Sequence, residues 1–288
     1  MSDKSEEEGS AWFAMWSQDQ KEKAIMACNN RKEDPLRNWV KPHQEECPIC
    51  FLPLPFNNDF GGSVYMTCCG KDICGGCFMQ NWDSHATLDK AEICVLCRTD
   101  TQSFGTNGTS KSILAQYMKL VNKGRHKAMF CLAEYYFDGR YDIEQDKDEA
   151  LKWYIRAIEA GSSIAAERLA WYYLSGNGVE EDSKKALEYY QRAADLGDPS
   201  CFFMIGLFHF EKGEIEEGML NLRKAAICGL SQGEDVPLFT DLKNGLKYGY
   251  ITKEEYDYTQ SENQTAINEM KSDARERYAE LKRKHGDE

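Results

Sequence analysis

Apolar and small residues recur at helical spacing through the second half of this 288-residue chain, and the spacing itself repeats. Ala165, Leu169 and Tyr173 stand at i, i+4 and i+8, one face of a helix, and the run stops at Gly176, which can take the left-handed backbone that ends helices. A second run opens near Asp182, whose carboxylate suits an N-cap, and closes at Gly197. The same unit comes before it. Ala128, Leu132, Tyr136 and Gly139 return displaced by 37 residues. Ala150-Leu151-Lys152-Trp153-Tyr154, Ala157 and Gly161, in a run that opens near Asp146, return as Ala186-Leu187-Glu188-Tyr189-Tyr190, Ala193 and Gly197, displaced by 36. The one-residue difference falls in the loop between helices, where a hairpin tolerates it. A shorter third copy keeps Ile205-Gly206, Gly213, Leu222, Ala225-Ala226 and Gly229. One helical hairpin cannot bury its apolar face alone, so the expected architecture is an all-α solenoid of stacked pairs over 125–161, 162–197 and 198–229. The aromatic residues Trp153, Tyr154, Trp171, Tyr172, Tyr189 and Tyr190 lie at core-like spacing and are expected to pack between helices.

The flanks are helical too. Residues 230–288 are expected to form C-terminal helices. Leu238, Leu242 and Leu246 are spaced by four, Gly249 can end that helix, and Thr252-Lys253-Glu254-Glu255 opens the next with a capping box. Ile267, Met270, Ala274, Tyr278 and Leu281 then mark one stripe, with Lys282, Arg283 and Lys284 at its dipole-favoured end. A capping helix on the last repeat is favoured over a dimer seam. Residues 105–124 read as a linker helix, 11–42 as a helical leader carrying Trp12, Trp16 and Ile25, and 1–10 as a disordered acidic leader. Docking of the tryptophans onto the rest of the chain is favoured over partner binding.

Residues 43–104 follow neither pattern. Eight of the twelve cysteines lie in the 51 residues from Cys47 to Cys97, as Cys47-x-x-Cys50, adjacent Cys68 and Cys69, Cys74-x-x-Cys77 and Cys94-x-x-Cys97. Two thiolates two residues apart occupy adjacent corners of a tetrahedron, and two such pairs complete a structural zinc site. Soft sulfur donors suit zinc, whereas magnesium and calcium take oxygen ligands. Four pairs provide for two Zn2+ ions.

The order of pairs resembles the RING finger. That resemblance implies a cross-braced module in which Cys47, Cys50, Cys74 and Cys77 hold one zinc and Cys68, Cys69, Cys94 and Cys97 the other. Metal binding then contributes the folding free energy of a segment with little apolar core. The second pair departs from the family, which places a His after the Cys with at least one residue between. Here Cys68 and Cys69 are adjacent, and Lys71, an ammonium at neutral pH, stands where the His is expected. The rival ligand set uses Cys69 and His85, with Cys68 a bystander. His43 reads as a surface residue. The resemblance also implies a docking groove for a ubiquitin-conjugating enzyme, formed by Ile49, Trp82, Val95 and Leu96. Arg98, directly after the last ligand, would bridge that enzyme and ubiquitin, a role suited to a guanidinium fork. Val95 stands where many family members carry Pro.

The repeat pattern Leu169-Ala170…Tyr173…Gly176-Asn177-Gly178-Val179…Asp182…Lys185-Ala186…Tyr189-Tyr190…Ala193-Ala194…Gly197 closely resembles the Sel1-like repeat, a relative of the tetratricopeptide repeat. It implies substrate recruitment by protein–protein contact.

Charge and termini narrow the function classes. A net charge of −13 argues against nucleic acid as a partner. The polar start Met1-Ser2-Asp3-Lys4 is no signal peptide, and no apolar run is long enough for a membrane span, so the expected location is cytoplasmic or nuclear rather than secreted. Reduced thiols there bind metal rather than form disulfides. Four thiolates leave zinc no open position for water, so no catalytic residue of the chain's own is assigned. The reading is a RING-type ubiquitin ligase that brings a ubiquitin-charged conjugating enzyme beside a substrate held by the repeats. The alternative is a zinc-stabilised scaffold without enzymatic activity.

Overall fold

The computed structural model describes residues 12–54, 63–66, 69–78, 80, 94, 96, 110–140, 143–230, 238–273 and 275–276. The acidic leader 1–10, the segment 99–108 and the basic residues Lys282, Arg283 and Lys284 lie outside them. In chain order the elements are α1 (Trp12–Met15), α2 (Gln18–Asn30), β1 (Ser63–Met66), β2 (Lys71–Cys74), α3 (Ser110–Val121), α4 (His126–Asp138), α5 (Lys147–Glu159), α6 (Ser163–Ser175), α7 (Ser183–Asp195), α8 (Pro199–Glu211), α9 (Ile215–Ile227), α10 (Leu238–Lys247) and α11 (Lys253–Met270). They fall into two compact units, Gln44–Leu196 with Met270–Glu288, and Met1–His43 with Gly197–Glu269.

In the first unit the repeat copies form the helix pairs α4/α5 and α6/α7. Their ends are set by the residues the pattern singled out. The Asp146 carboxylate accepts from the Glu149 amide at 2.9 Å, and Asp182 accepts from Lys184 and Lys185 at 3.1 and 3.0 Å, satisfying donors that a first helical turn leaves free. Gly139 and Gly176 close α4 and α6 at φ of 71° and 67°, where a side chain would be strained. Ala128, Ala165, Ala150, Ala186, Ala157 and Ala193 are completely buried, which lets paired helices approach closely. Leu132 and Leu169 are each 1% exposed, and burial of this kind contributes about 1.5–3 kcal/mol per side chain. Phe137 of the first copy stacks on Tyr172 of the second at 4.2 Å between ring centroids, and Tyr173 stacks on Tyr189 at 5.6 Å. Trp153, Tyr154, Tyr172 and Tyr190 are buried and Tyr189 half-buried. Trp171 is the exception: it is 45% exposed and is not core.

The cysteine-rich part of this unit is small. Strands β1 and β2 form an antiparallel hairpin that pairs Ser63 with Cys74 and Met66 with Lys71. Its turn uses Gly70 at φ 68°, and a Cβ there would also meet Cγ of Arg125 at 2.9 Å. The hairpin therefore lies against the start of α4. Asp72 on β2 pairs with Lys127 on α4 at 2.6 Å, and His126 Nε2 lies 3.2 Å from the Glu45 carboxylate.

In the second unit α8 and α9 form the third, degenerate pair. Helix α11 lies on α9: Asn263 donates to the carbonyls of Ala226 and Leu230 at 2.7 and 3.2 Å, and Thr259 Oγ1 accepts from the buried Arg223 at 2.9 Å. Asn263 begins a glycosylation-type tripeptide in sequence, but its side chain is buried and occupied. The capping box at the start of α11 is formed, with Thr252 and Glu255 bonded reciprocally at 2.8 and 3.1 Å. Trp16 is buried, and its indole donates to the Phe210 carbonyl at 2.9 Å.

The leader carries two helices, because Ser17 and Gln20 make a capping box that starts α2 afresh. One expectation is corrected here. The stripe from Ile267 to Leu281 is not one helix. Helix α11 stops at Met270, and Ser272 Oγ accepts from the Arg275 amide at 3.3 Å to begin a new turn. Ala274, Tyr278 and Leu281 lie outside the described residues.

Candidate functional site

The first two cysteine-pair residues sit on a tight loop. Cys47 donates its amide to the Leu52 carbonyl at 2.9 Å, and the Phe51 amide returns to the Cys47 carbonyl at 2.8 Å. Phe51 adopts a φ of 57° to close this loop, a conformation that costs a non-glycine residue about 1–2 kcal/mol. Cys74 ends β2, and Cys77 lies on the short helix at 75–78. The result is that Cys47, Cys50, Cys74 and Cys77 bring their sulfurs within 4.8 Å of one another. Zinc–sulfur bonds of about 2.3 Å in a tetrahedron separate sulfurs by about 3.8 Å. The Cys50 and Cys74 sulfurs are 3.8 Å apart.

The surroundings favour thiolates. The Cys74 amide donates to the Cys47 sulfur at 3.4 Å, the Cys77 amide to the Cys74 sulfur at 3.5 Å, and the Ile49 and Cys50 amides also point at Cys47. The bond it shares with Cys74 holds the Cys47 thiol well below its ordinary range, and the same bond raises Cys74 above it. Burial pushes Cys77 up to about 12. Without a cation, four thiols so close, three of them buried, cannot all ionise; a bound metal supplies the charge that releases their protons. Donor type, spacing and N–H···S bonds therefore fit a tetrahedral metal ion, and this group can hold one.

Of the remaining expected ligands, Cys69 and Cys94 are described. Cys69 is half-buried and Cys94 buried, and both belong to the apolar cluster of Leu54, Met66 and Ile73 around the four-cysteine group. Cys68, Cys97 and the rival ligand His85 lie outside the described residues. Lys71 is exposed at the start of β2, and His43 is exposed. Ile49 and Leu96 are half-buried against the same cluster. Trp82, Val95 and Arg98 lie outside the described residues. Every cysteine among the described residues is free of disulfides.

Sequence reasoning missed Arg275. It is completely buried, and Nη2 lies 3.6 Å from the Cys50 sulfur, although 225 positions separate the two in sequence. Nothing in the sequence pairs them; Arg275 reads there as one more basic residue near the C-terminus. On the repeats, Ile155, Ile164 and Trp171 are exposed at 42%, 36% and 45%, and Ile164 and Trp171 stand two turns apart on α6.

The Sel1 repeat family model matches residues 126–162 and 163–198, the same spans as the α4/α5 and α6/α7 pairs. A solved Sel1 repeat protein from Oxalobacter formigenes is 29% identical, covering 46% of this chain and 97% of its own, with a TM-score of 0.39. A protective antigen of uropathogenic Escherichia coli that displays an SLR fold is 14% identical over 73% of this chain and 49% of its own, at a TM-score of 0.30. A Pseudomonas aeruginosa protein is 16% identical over 72% of this chain and 87% of its own, at 0.28. No curated protein matches the chain. The chain thus carries Sel1 repeats, which implies protein–protein interaction, beside a four-cysteine group able to hold a metal ion.

Proposed function

We propose that the protein is a RING-type ubiquitin ligase whose Sel1 repeats hold a substrate protein while the cysteine-rich module docks a ubiquitin-charged conjugating enzyme. The observation that carries this reading is the choice of partners within the cysteine cluster. Among the described residues the pair Cys47/Cys50 passes over Cys69, nearer in sequence, and meets Cys74/Cys77. A zinc ribbon joins consecutive pairs, whereas an interleaved order supports cross-bracing and leaves Cys68, Cys69, Cys94 and Cys97 as a second Zn2+ site. The half-buried Ile49 and Leu96, both packed on the cluster, support a shared docking groove completed by Trp82, Val95 and Arg98.

The chain's own residues perform no covalent step. Metal at the cysteines would fix the two loops that carry Ile49 and Leu96, and the groove would hold the conjugating enzyme near the substrate amine, converting an encounter of two proteins into a positioned attack. Arg98 would donate hydrogen bonds across to ubiquitin and select the reactive arrangement of the thioester.

Ubiquitin discharge from a panel of charged conjugating enzymes tests this. Ile49→Ala should weaken enzyme binding by about 1–2 kcal/mol, the usual loss at an interface anchor. Arg98→Ala should slow discharge while sparing affinity for the uncharged enzyme, and both variants should retain zinc. Discharge at the rate of a no-ligase control with every enzyme, from protein that holds its zinc, would instead assign the chain as a non-enzymatic, metal-stabilised interaction scaffold.

A further inference from the structure

Arg275 is a cation buried without a carboxylate. Its relative exposure is 0%, and no Asp or Glu pairs with it among the described residues. Burying an unpaired guanidinium is costly, and it persists only where counter-charge and acceptors are supplied. The acceptors are backbone carbonyls: Nη1 donates to Pro53 at 2.7 Å and to Met270 at 2.8 Å, and Nη2 donates to Leu52 at 3.3 Å. Nη2 also lies 3.6 Å from the Cys50 sulfur, and the guanidinium hydrogen-bonds the Cys74 side chain as well. Leu52 and Pro53 directly follow the Cys47–Cys50 loop, and Leu52 also accepts the Cys47 amide. The fork thus grips the metal loop by its backbone and by one of its sulfurs.

Four thiolates around a divalent ion carry a net charge of about −2, in a site where Cys47 and Cys74 are almost wholly buried. We propose that Arg275 is the charge-compensating outer-sphere partner of this metal centre, and that it makes metal binding and docking of the segment 270–276 a single coupled event. The proposal rests on the four cysteines holding a metal and does not depend on the ligase reading. By linkage the effect is reciprocal: metal strengthens the segment's hold on the loop, and the docked segment strengthens the loop's hold on metal.

The test uses the full chain. Cobalt(II) titration of the wild type reads sulfur-to-metal charge transfer, and competition with a chromophoric chelator reads zinc affinity. Loss of an outer-sphere partner typically lowers metal affinity about 10–100-fold, and Arg275→Met, which keeps bulk but removes charge and donors, should fall in that range. Arg275→Lys, which keeps the charge and loses the fork, should fall between Met and wild type. Hydrogen exchange on wild-type protein gives a readout independent of any variant's folding: stripping the metal should deprotect 270–276 together with 47–53. Wild-type zinc affinity in Arg275→Met, or a segment 270–276 that stays protected after stripping, would overturn the proposal. A wild type that never shows sulfur-to-cobalt charge transfer would instead overturn the metal reading beneath it.

Discussion

The contact of Lys127 with Asp72 decides whether the cysteine module is part of one body with the first repeat or merely tethered to it. The two charges are 2.6 Å apart, with side chains 17% and 8% exposed. Such a pair is desolvated, unlike the exposed ion pairs that contribute only about 0.2–1 kcal/mol. Replacing Lys127 by Met strands a carboxylate in a site from which water is largely excluded. One-sided removal of a buried pair costs about 3–5 kcal/mol, and the residual access at Lys127 places this pair at the lower end of that range. The double variant Asp72→Asn with Lys127→Met removes the stranded charge and should recover more than half of the loss.

The proton equilibrium gives the same contact a second signature. Burial raises the Asp72 carboxyl above its ordinary range, and the attraction of Lys127 only partly offsets this. A carboxyl raised in the folded state binds more protons folded than unfolded, so stability falls as pH climbs from the ordinary carboxylate value through the raised one. Acidification across that window should therefore stabilise the hairpin, and Lys127→Met should widen the window upward. Urea unfolding of zinc-loaded protein and hydrogen exchange at the β2 amides measure both effects. A loss under about 1 kcal/mol for Lys127→Met, with no pH dependence, would mean that the pair is solvated and the module is tethered.

Chelation of the purified chain should melt residues 44–78 while leaving the repeat helices intact, read as retained far-UV helicity with lost exchange protection at β1 and β2. Metal analysis should give two zinc ions per chain, and Cys68→Ser against His85→Ala should identify which of them completes the second site; one ion per chain would refute the interleaved assignment. Trp171→Ala should weaken capture of a protein partner by about 1–2 kcal/mol or more while lowering stability by less than about 0.5 kcal/mol, since the ring is half in solvent. An equal fall in stability would make Trp171 a packing residue.

The repeats were legible because their signal is local. Ala165, Leu169, Tyr173 and Gly176 declare a helix and its end within twelve positions, and the displaced copies declare that it recurs. Asp182 and Asp146 cap as their residue type dictates. The spacing of Cys47/Cys50 and Cys74/Cys77 likewise announced a four-cysteine group able to hold a metal ion, because Cys-x-x-Cys carries its own geometry. What failed to show was set by longer range or by competing local chemistry. The break after Met270 turns on Ser272 accepting one amide, which the stripe of apolar positions overrides on paper. Trp171 reads as core because it neighbours Tyr172, yet adjacent residues on a helix point about 100° apart and only Tyr172 faces Phe137. Arg275 meets Cys50 across 225 positions, and no local pattern encodes such a meeting.

The hairpin explains why Cys69 does not join Cys74, the next cysteine in sequence. Cys69 lies at its turn and Cys74 at the far end of β2, opposite Ser63. From Lys71 to Cys74 the strand makes three rises of about 3.3 Å, roughly 10 Å, and Cys69 lies before its start. Sulfurs that share one ion stand only about 3.8 Å apart, and a cysteine side chain cannot span the difference. Cys69 is therefore kept out of the group that Cys74 joins. The same strand brings Cys74 to Cys47 and Cys50, and it presents Asp72 to Lys127 along the way. One short strand thus separates Cys69 from Cys74, brings Cys74 to Cys47 and Cys50, and attaches the module to the first Sel1 repeat.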